Sequence, residues 1–250
     1  MLSVEFLRNE FWAECFNLRN FLRITITATA EARFVHFHQY RMNKPQSVIT
    51  RAHIAGAMTY QEYLHLSEEL FAKGRTTSEA DGLNTPQILE YTKVNLQRTS
   101  RIYKTTVLHA DLQEAVRGVQ GQWIWLILSE SWCGDAAQNL PVFMRLAELS
   151  PAIEIKILLR DQHPDVMNAY LTGGTARAIP KLICLDAATL DEIGQWGPRP
   201  KAAQDYVMEQ KALGTDHDTV IANVHAWYAK DKTESLQGEM LACVREWSKK

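Results

Sequence analysis

The chain predicts an α/β sandwich with a mixed sheet, and three observations carry that reading. Residues 123–128, Trp-Ile-Trp-Leu-Ile-Leu, form an unbroken apolar run of the kind buried inside a parallel sheet. A second apolar run, 153–159, follows a helix-patterned stretch, giving the strand–helix–strand order of parallel pairing. Residues 179–185 and 190–196 then alternate about a break at Asp186-Ala187-Ala188, which predicts an antiparallel hairpin at the sheet edge.

The helical elements follow from periodicity and punctuation. Over 59–73 the apolar positions Tyr63, Leu64, Leu66, Leu70 and Phe71 suit an amphipathic helix that stops at Gly74. Residues 75–84 are polar and read as a loop. Thr85-Pro86 opens a longer helix, threonine as cap and proline in the first turn, whose stripe runs from Ile88 through Ile102. A short helix over 111–119 leads into the first strand. The helix after that strand begins near Cys133 and carries Pro141, which removes one backbone donor. Residues 165–171 read as a short helix and Thr172-Gly173-Gly174-Thr175 as a turn. Helices over 201–213 and 216–247 close the chain, the second expected to break near Gly238.

Composition bounds the function. A chain of 250 residues, 46% hydrophobic, can bury one sizeable core. Its 27 basic and 29 acidic side chains leave a net charge of −2, so neither nucleic acid nor an anionic membrane is an expected partner. Four cysteines, Cys15, Cys133, Cys184 and Cys243, lie far apart, a spacing that fits neither a zinc site nor a secreted disulfide framework. That usage favours a reducing, cytoplasmic setting. No apolar run approaches the roughly 18 residues of a membrane span. The histidines offer no metal spacing: His36 and His38 fall in a doubtful segment, and His217 and His225 share a helix without an acidic partner between them. No metal and no cofactor are expected.

Residues 1–41 contain five arginines and no lysine, with charges interrupting every apolar run. That is not a secretory signal. Either Phe6, Leu7, Phe11 and Trp12 line one face of an added amphipathic helix, or Met42 is the natural start. The second reading is preferred, because no consistent period or cap occurs there. The division expected is therefore a doubtful extension at 1–41, a helical segment at 42–107, and an α/β domain with a helical extension at 108–250.

The chemistry concentrates at Trp132-Cys133-Gly134-Asp135-Ala136. A thiol where a buried strand turns into a helix meets unpaired N–H groups and the positive end of the helix dipole, both favouring the reactive thiolate. Such a helix start normally faces solvent at the carboxyl end of the sheet. The competing reading of a free cysteine is a small buried hydrophobe, and Cys184 and Cys243 are read that way.

These residues, with Pro141, the 153–159 strand ending in Arg160-Asp161-Gln162-His163-Pro164, the segment Ala178-Ile179-Pro180-Lys181, and Gly194-Gln195-Trp196-Gly197-Pro198-Arg199-Pro200, resemble the thioredoxin superfamily. The match covers 108–212 and looks most like bacterial thioredoxin family proteins carrying Trp-Cys-Gly-Asp-Ala. The resemblance implies a thioredoxin-like three-layer α/β/α sandwich with a mixed sheet, here with extra helices at both ends. It implies a cis Pro180 facing Cys133, with the Ile179 backbone available to pair with an extended segment. Trp132, Gly134, Asp135, Ile179 and Pro180 then form the substrate groove. Asp161 is expected to accept the Trp132 indole N–H, and Arg160 and Arg199 to supply positive charge. His163 is a weaker candidate for a base.

The departures from the family decide the expected function. Ala136 stands where the second cysteine belongs, Asp135 replaces the intervening proline, and Ile127 takes the place of a buried carboxylate. An internal disulfide at the motif is therefore impossible. The expectation is a cytosolic monothiol disulfide oxidoreductase forming mixed disulfides through Cys133. Its partners would be a protein disulfide or a small thiol of the glutathione or bacillithiol class, and its oligomeric state is open. The alternative is a non-catalytic module that recognises an extended segment at the cis-proline groove. Asp135, a negative charge in the first turn, is expected to make the thiol less acidic than that of a dithiol oxidase.

Overall fold

The computed structural model describes residues 48–250, so the expectations for 1–41, including Cys15, His36 and His38, lie outside the described residues. Its elements run α1 (Arg51–Gly56), α2 (Tyr60–Ala72), α3 (Pro86–Thr105), α4 (Ala110–Arg117), β1 (Trp123–Ser129), α5 (Gly134–Ala147), β2 (Ile153–Leu159), α6 (Pro164–Ala169), β3 (Lys181–Asp186), β4 (Glu192–Trp196), α7 (Lys201–Ala212), α8 (His217–Asp231) and α9 (Glu234–Trp247).

The four strands form one mixed sheet in the order β2-β1-β3-β4. β1 lies parallel to β2 with Ile127 opposite Ile157, and antiparallel to β3 with Ile127 opposite Leu182. β3 and β4 are the expected hairpin, antiparallel and irregular at Cys184/Leu185. Helices cover both sides of the sheet, the thioredoxin-like arrangement. This explains the unbroken apolar run: every residue of β1 is buried, because a central strand with both faces covered has no solvent side. Each fully buried aliphatic chain there contributes about 1.5–3 kcal/mol through removal from water. Trp125 packs edge-on against Phe143 of α5 at 6.2 Å and Trp247 of α9 at 6.5 Å, joining both helices to the sheet.

The segment before β1 belongs to the same core. Thr85 caps α3 as its position predicts and Thr59 caps α2, each accepting from the third backbone N–H beyond it. Met58 extends the sheet by an isolated bridge to Ile157, and the Tyr63 hydroxyl meets Ser129 Oγ at 3.1 Å. The polar stretch read as a loop is largely irregular, and part of it is a buried strap. Thr76, Thr77 and Ser78 are buried, with the Thr77 hydroxyl on Glu130 and Ser131 and the Ser78 hydroxyl 2.5 Å from Asp161. Side-chain hydroxyls satisfied in this way let a polar segment run under cover.

At the carboxyl end the helical pattern breaks earlier than expected. α8 ends at Lys232 and α9 starts after Thr233, both at positive φ (53° and 73°), while Gly238 lies inside α9. α7 and α8 carry their own small apolar cluster of Val207, Val220, Val224 and Tyr228. The first strand of the hairpin also starts later than expected, at Lys181, leaving Ile179 and Pro180 in the preceding turn.

Candidate functional site

The site is built where β1 gives way to α5. Cys133 is the N-cap of α5, in extended conformation, with its sulfur 3.5 Å from the Ala136 N–H. Opposite stands the turn before β3, in which the Ile179–Pro180 bond is cis. The Cys133 thiol donates to the Ile179 carbonyl at 3.3 Å. A third segment closes the corner: at Gly197 (φ 124°) a Cβ would stand 2.3 Å from the Pro180 carbonyl oxygen, so only glycine lets the chain pass. Cys133, Ile179 and Pro180 are therefore brought together, and Trp132 is half-buried beside them.

The electrostatics differ from the expectation. The helix terminus was expected to favour a solvent-facing thiolate, yet Cys133 is only 8% exposed. Burial pushes its thiol up to about 12, Asp135 adds to the rise, and the N–H groups of Ala136 and Asp135 and the charge of Arg199 only partly offset it. Loss of solvation outweighs the helix terminus here. The resting group is a neutral thiol, hydrogen-bonded to a carbonyl.

Asp135 is the hub of the covering contacts. Its carboxylate is 11% exposed and accepts from Arg199 Nε at 3.0 Å and Nη2 at 2.5 Å; the Arg199 side chain is 16% exposed. The Tyr228 hydroxyl of α8 donates to the same carboxylate at 2.8 Å, and Asn139 Nδ2 donates to Tyr228 at 3.1 Å. α8 also comes against Gly134, where a Cβ would meet His225 Cε1 at 2.6 Å. The C-terminal helices thus lie against the first turn of α5, and Arg199 is committed to Asp135, not free for a substrate carboxylate.

Two other expectations are corrected. Asp161 does not take the Trp132 indole N–H, which makes no hydrogen bond. The carboxylate is held by Ser78 at 2.5 Å and Arg160 Nε at 2.8 Å, because the buried strap reaches it first. Arg160 lies over the Trp132 ring, 4.7 Å from its centroid, a cation–π contact that leaves it paired on both sides. His163 does not serve the thiol, whose hydrogen goes to Ile179. It packs edge-on against His53 at 5.7 Å, and burial, then His53, holds it below its ordinary value.

Glu130 was missed. It is 0% exposed, accepts from the Asp161 N–H at 3.0 Å, and is bonded by Thr77. Burial raises its carboxyl to about 7, against the hydrogen bonds from Thr77 and Asp161. With Tyr63, Ser67, Asn95 and Cys133 it lines a small cavity of about 20 Å³, room for about one water. A titratable carboxyl therefore shares a cavity with the thiol although Ile127 occupies the family's position for one. A charged residue two positions beyond an unbroken apolar run, at the carboxyl end of the buried strand, was the available signal.

The thioredoxin family profile matches residues 82–213, just over half of the chain. No curated protein matches. Among solved structures, one of a protein of unknown function from Pseudomonas aeruginosa is 21% identical, over 75% of this chain and 98% of that one, with a TM-score of 0.46. A crystallised HIV epitope-scaffold is 20% identical over the same shares, with a TM-score of 0.44. Among the described residues no helix is long and apolar enough to cross a membrane. By the extent of the profile match, this chain belongs to the thioredoxin family.

Proposed function

We propose that this protein is a monothiol redox protein whose nucleophile, Cys133, is masked at rest. The observation that carries the reading is the Cys133 sulfur at the cap of α5, 3.3 Å from the Ile179 carbonyl beside the cis Pro180. In the reaction the thiol first loses its proton to solvent. The thiolate then attacks one sulfur of a substrate disulfide, the S–S bond breaks, and the other half leaves as a thiolate. Ala136 cannot release the mixed disulfide, so a second thiol, from a protein or a small thiol of the glutathione or bacillithiol class, attacks it and restores Cys133. A neutral, covered sulfur reacts slowly with free oxidants and faster with a partner that docks at the Ile179–Pro180 turn and supplies the energy of uncovering it.

One observation favours a second reading. Burial of Cys133, with its thiol pushed up to about 12, suits a module that binds an extended segment and performs no thiol chemistry. Incubation with glutathione disulfide separates the two. The redox reading expects one glutathione adduct, located by peptide mass on Cys133 and accumulating faster as pH rises. If the folded protein forms no adduct on Cys133 even at pH 10, the binding module replaces it.

A further inference from the structure

We propose that His53, His163 and Asp165 form a binding site for a divalent ion of the zinc class, joining α1 to the loop after β2. His53 lies in α1, while His163 caps α6 and Asp165 lies in its first turn, so two distant stretches of chain contribute donors. One donor atom from each residue falls within 4.8 Å of the others, and His53 Nε2 stands 3.1 Å from Asp165 Oδ2. Tetrahedral zinc, with metal–ligand bonds of about 2.0–2.2 Å, needs its donors about 3.3 Å apart, so small side-chain rotations complete the set.

The surroundings favour a site over a chance ion pair. A His–Asp pair needs two partners, and here a third donor converges on them. His53 is also oriented from behind. It occupies the third position of α1, where Thr50 caps the helix, and its Nδ1 lies 3.1 Å from both the Thr50 N–H and the Thr50 hydroxyl. That anchoring turns Nε2 toward Asp165. With Nδ1 accepting from the Thr50 N–H the ring hydrogen rests on Nε2, so metal on Nε2 moves that hydrogen to Nδ1 and trades the Thr50 N–H bond for one from Nδ1–H to the Thr50 hydroxyl oxygen. Asp165 is about half exposed, at 54%, which leaves a side open for ion entry and for a water as fourth ligand. Two imidazoles and one carboxylate suit zinc, cobalt(II) or nickel(II) better than calcium or magnesium, whose ligands are oxygens.

The test uses the full, untagged chain, stripped with chelator and titrated with cobalt(II). The expected result is one equivalent bound, with visible d–d absorption displaced by zinc. His53→Gln and His163→Gln should each weaken binding by more than about tenfold, with unchanged far-ultraviolet circular dichroism. Asp165→Asn, at an exposed position, provides the same test if either histidine variant fails to fold. Absence of the visible bands, full affinity in the substituted chains, or a thiolate-to-cobalt charge-transfer band from a cysteine would overturn the assignment.

Discussion

Replacing Asp135 by asparagine probes the contacts that cover the thiol. The carboxylate and its partner are 11% and 16% exposed, so Arg199 would be left buried without a charge partner, keeping only its hydrogen bond to Gln204 at 3.3 Å. Breaking such a pair from one side costs about 3–5 kcal/mol. The carboxamide oxygen can still accept from Tyr228, whose hydroxyl stands 2.8 Å from Asp135 Oδ1, which places the expected cost near 3 kcal/mol, about 6–12 °C in Tm for a chain of this size. The same change acts on the sulfur in one direction. It removes the negative charge that raises the Cys133 thiol and frees the Arg199 charge that lowers it. Alkylation of Cys133 at pH 8 should therefore speed up. Tyr228→Phe is the control, since it loosens α8 without altering charge and should destabilise by about 1 kcal/mol. An unchanged Tm with unchanged alkylation in Asp135→Asn, or equal acceleration in Tyr228→Phe, would refute the electrostatic argument.

The remaining predictions concern neighbours of the thiol. Glu130 has its carboxyl raised to about 7 by burial. The folded state then holds a proton that the unfolded chain releases at its ordinary, lower value, so stability from this group falls as pH rises from about 4.5 to 7. Glu130→Gln should flatten that slope, recovering up to about 3 kcal/mol at pH 8 in denaturant titrations. Ala136→Cys places a second thiol one helical turn from Cys133, at a residue whose N–H already faces the sulfur at 3.5 Å. Mild oxidation should then remove two hydrogens by mass, with peptide mapping linking 133 to 136. Gly134→Ala drives a Cβ against His225 at 2.6 Å and should cost about 1–3 kcal/mol by chemical denaturation.

The framework was legible because its signals are local. The apolar run at 123–128, the Thr85-Pro86 start and the paired alternation of 179–196 depend on burial periodicity and capping, which a sequence displays directly. The approach of Cys133 to Ile179 and Pro180 came through resemblance. What escaped is non-local. The polar residues Thr77 and Ser78 are buried because Glu130, Ser131 and Asp161 receive their hydrogen bonds, and nothing within 75–84 announces those partners. The solvation of Cys133 was misread for the same reason. A helix start implies exposure only when nothing packs over it, and here Asp135, Arg199 and Tyr228 tie the later helices to that turn. The convergence of His53 with His163 and Asp165 likewise depends on where α1 lands, which sequence spacing cannot express.

The rate at which Cys133 exchanges with glutathione disulfide, followed from pH 6 to 10, tests the masked-thiol account most directly. A thiol at about 12 is about three thousandfold less ionised at neutral pH than free cysteine at about 8.5. The greater nucleophilicity of the more basic thiolate recovers about fortyfold, which leaves exchange about a hundredfold slower than for free cysteine. The account predicts that deficit, with the rate rising about tenfold per pH unit and no plateau below pH 10. A plateau centred at or below about 8.5 would contradict it, because the sulfur would then be ionising as a solvated group.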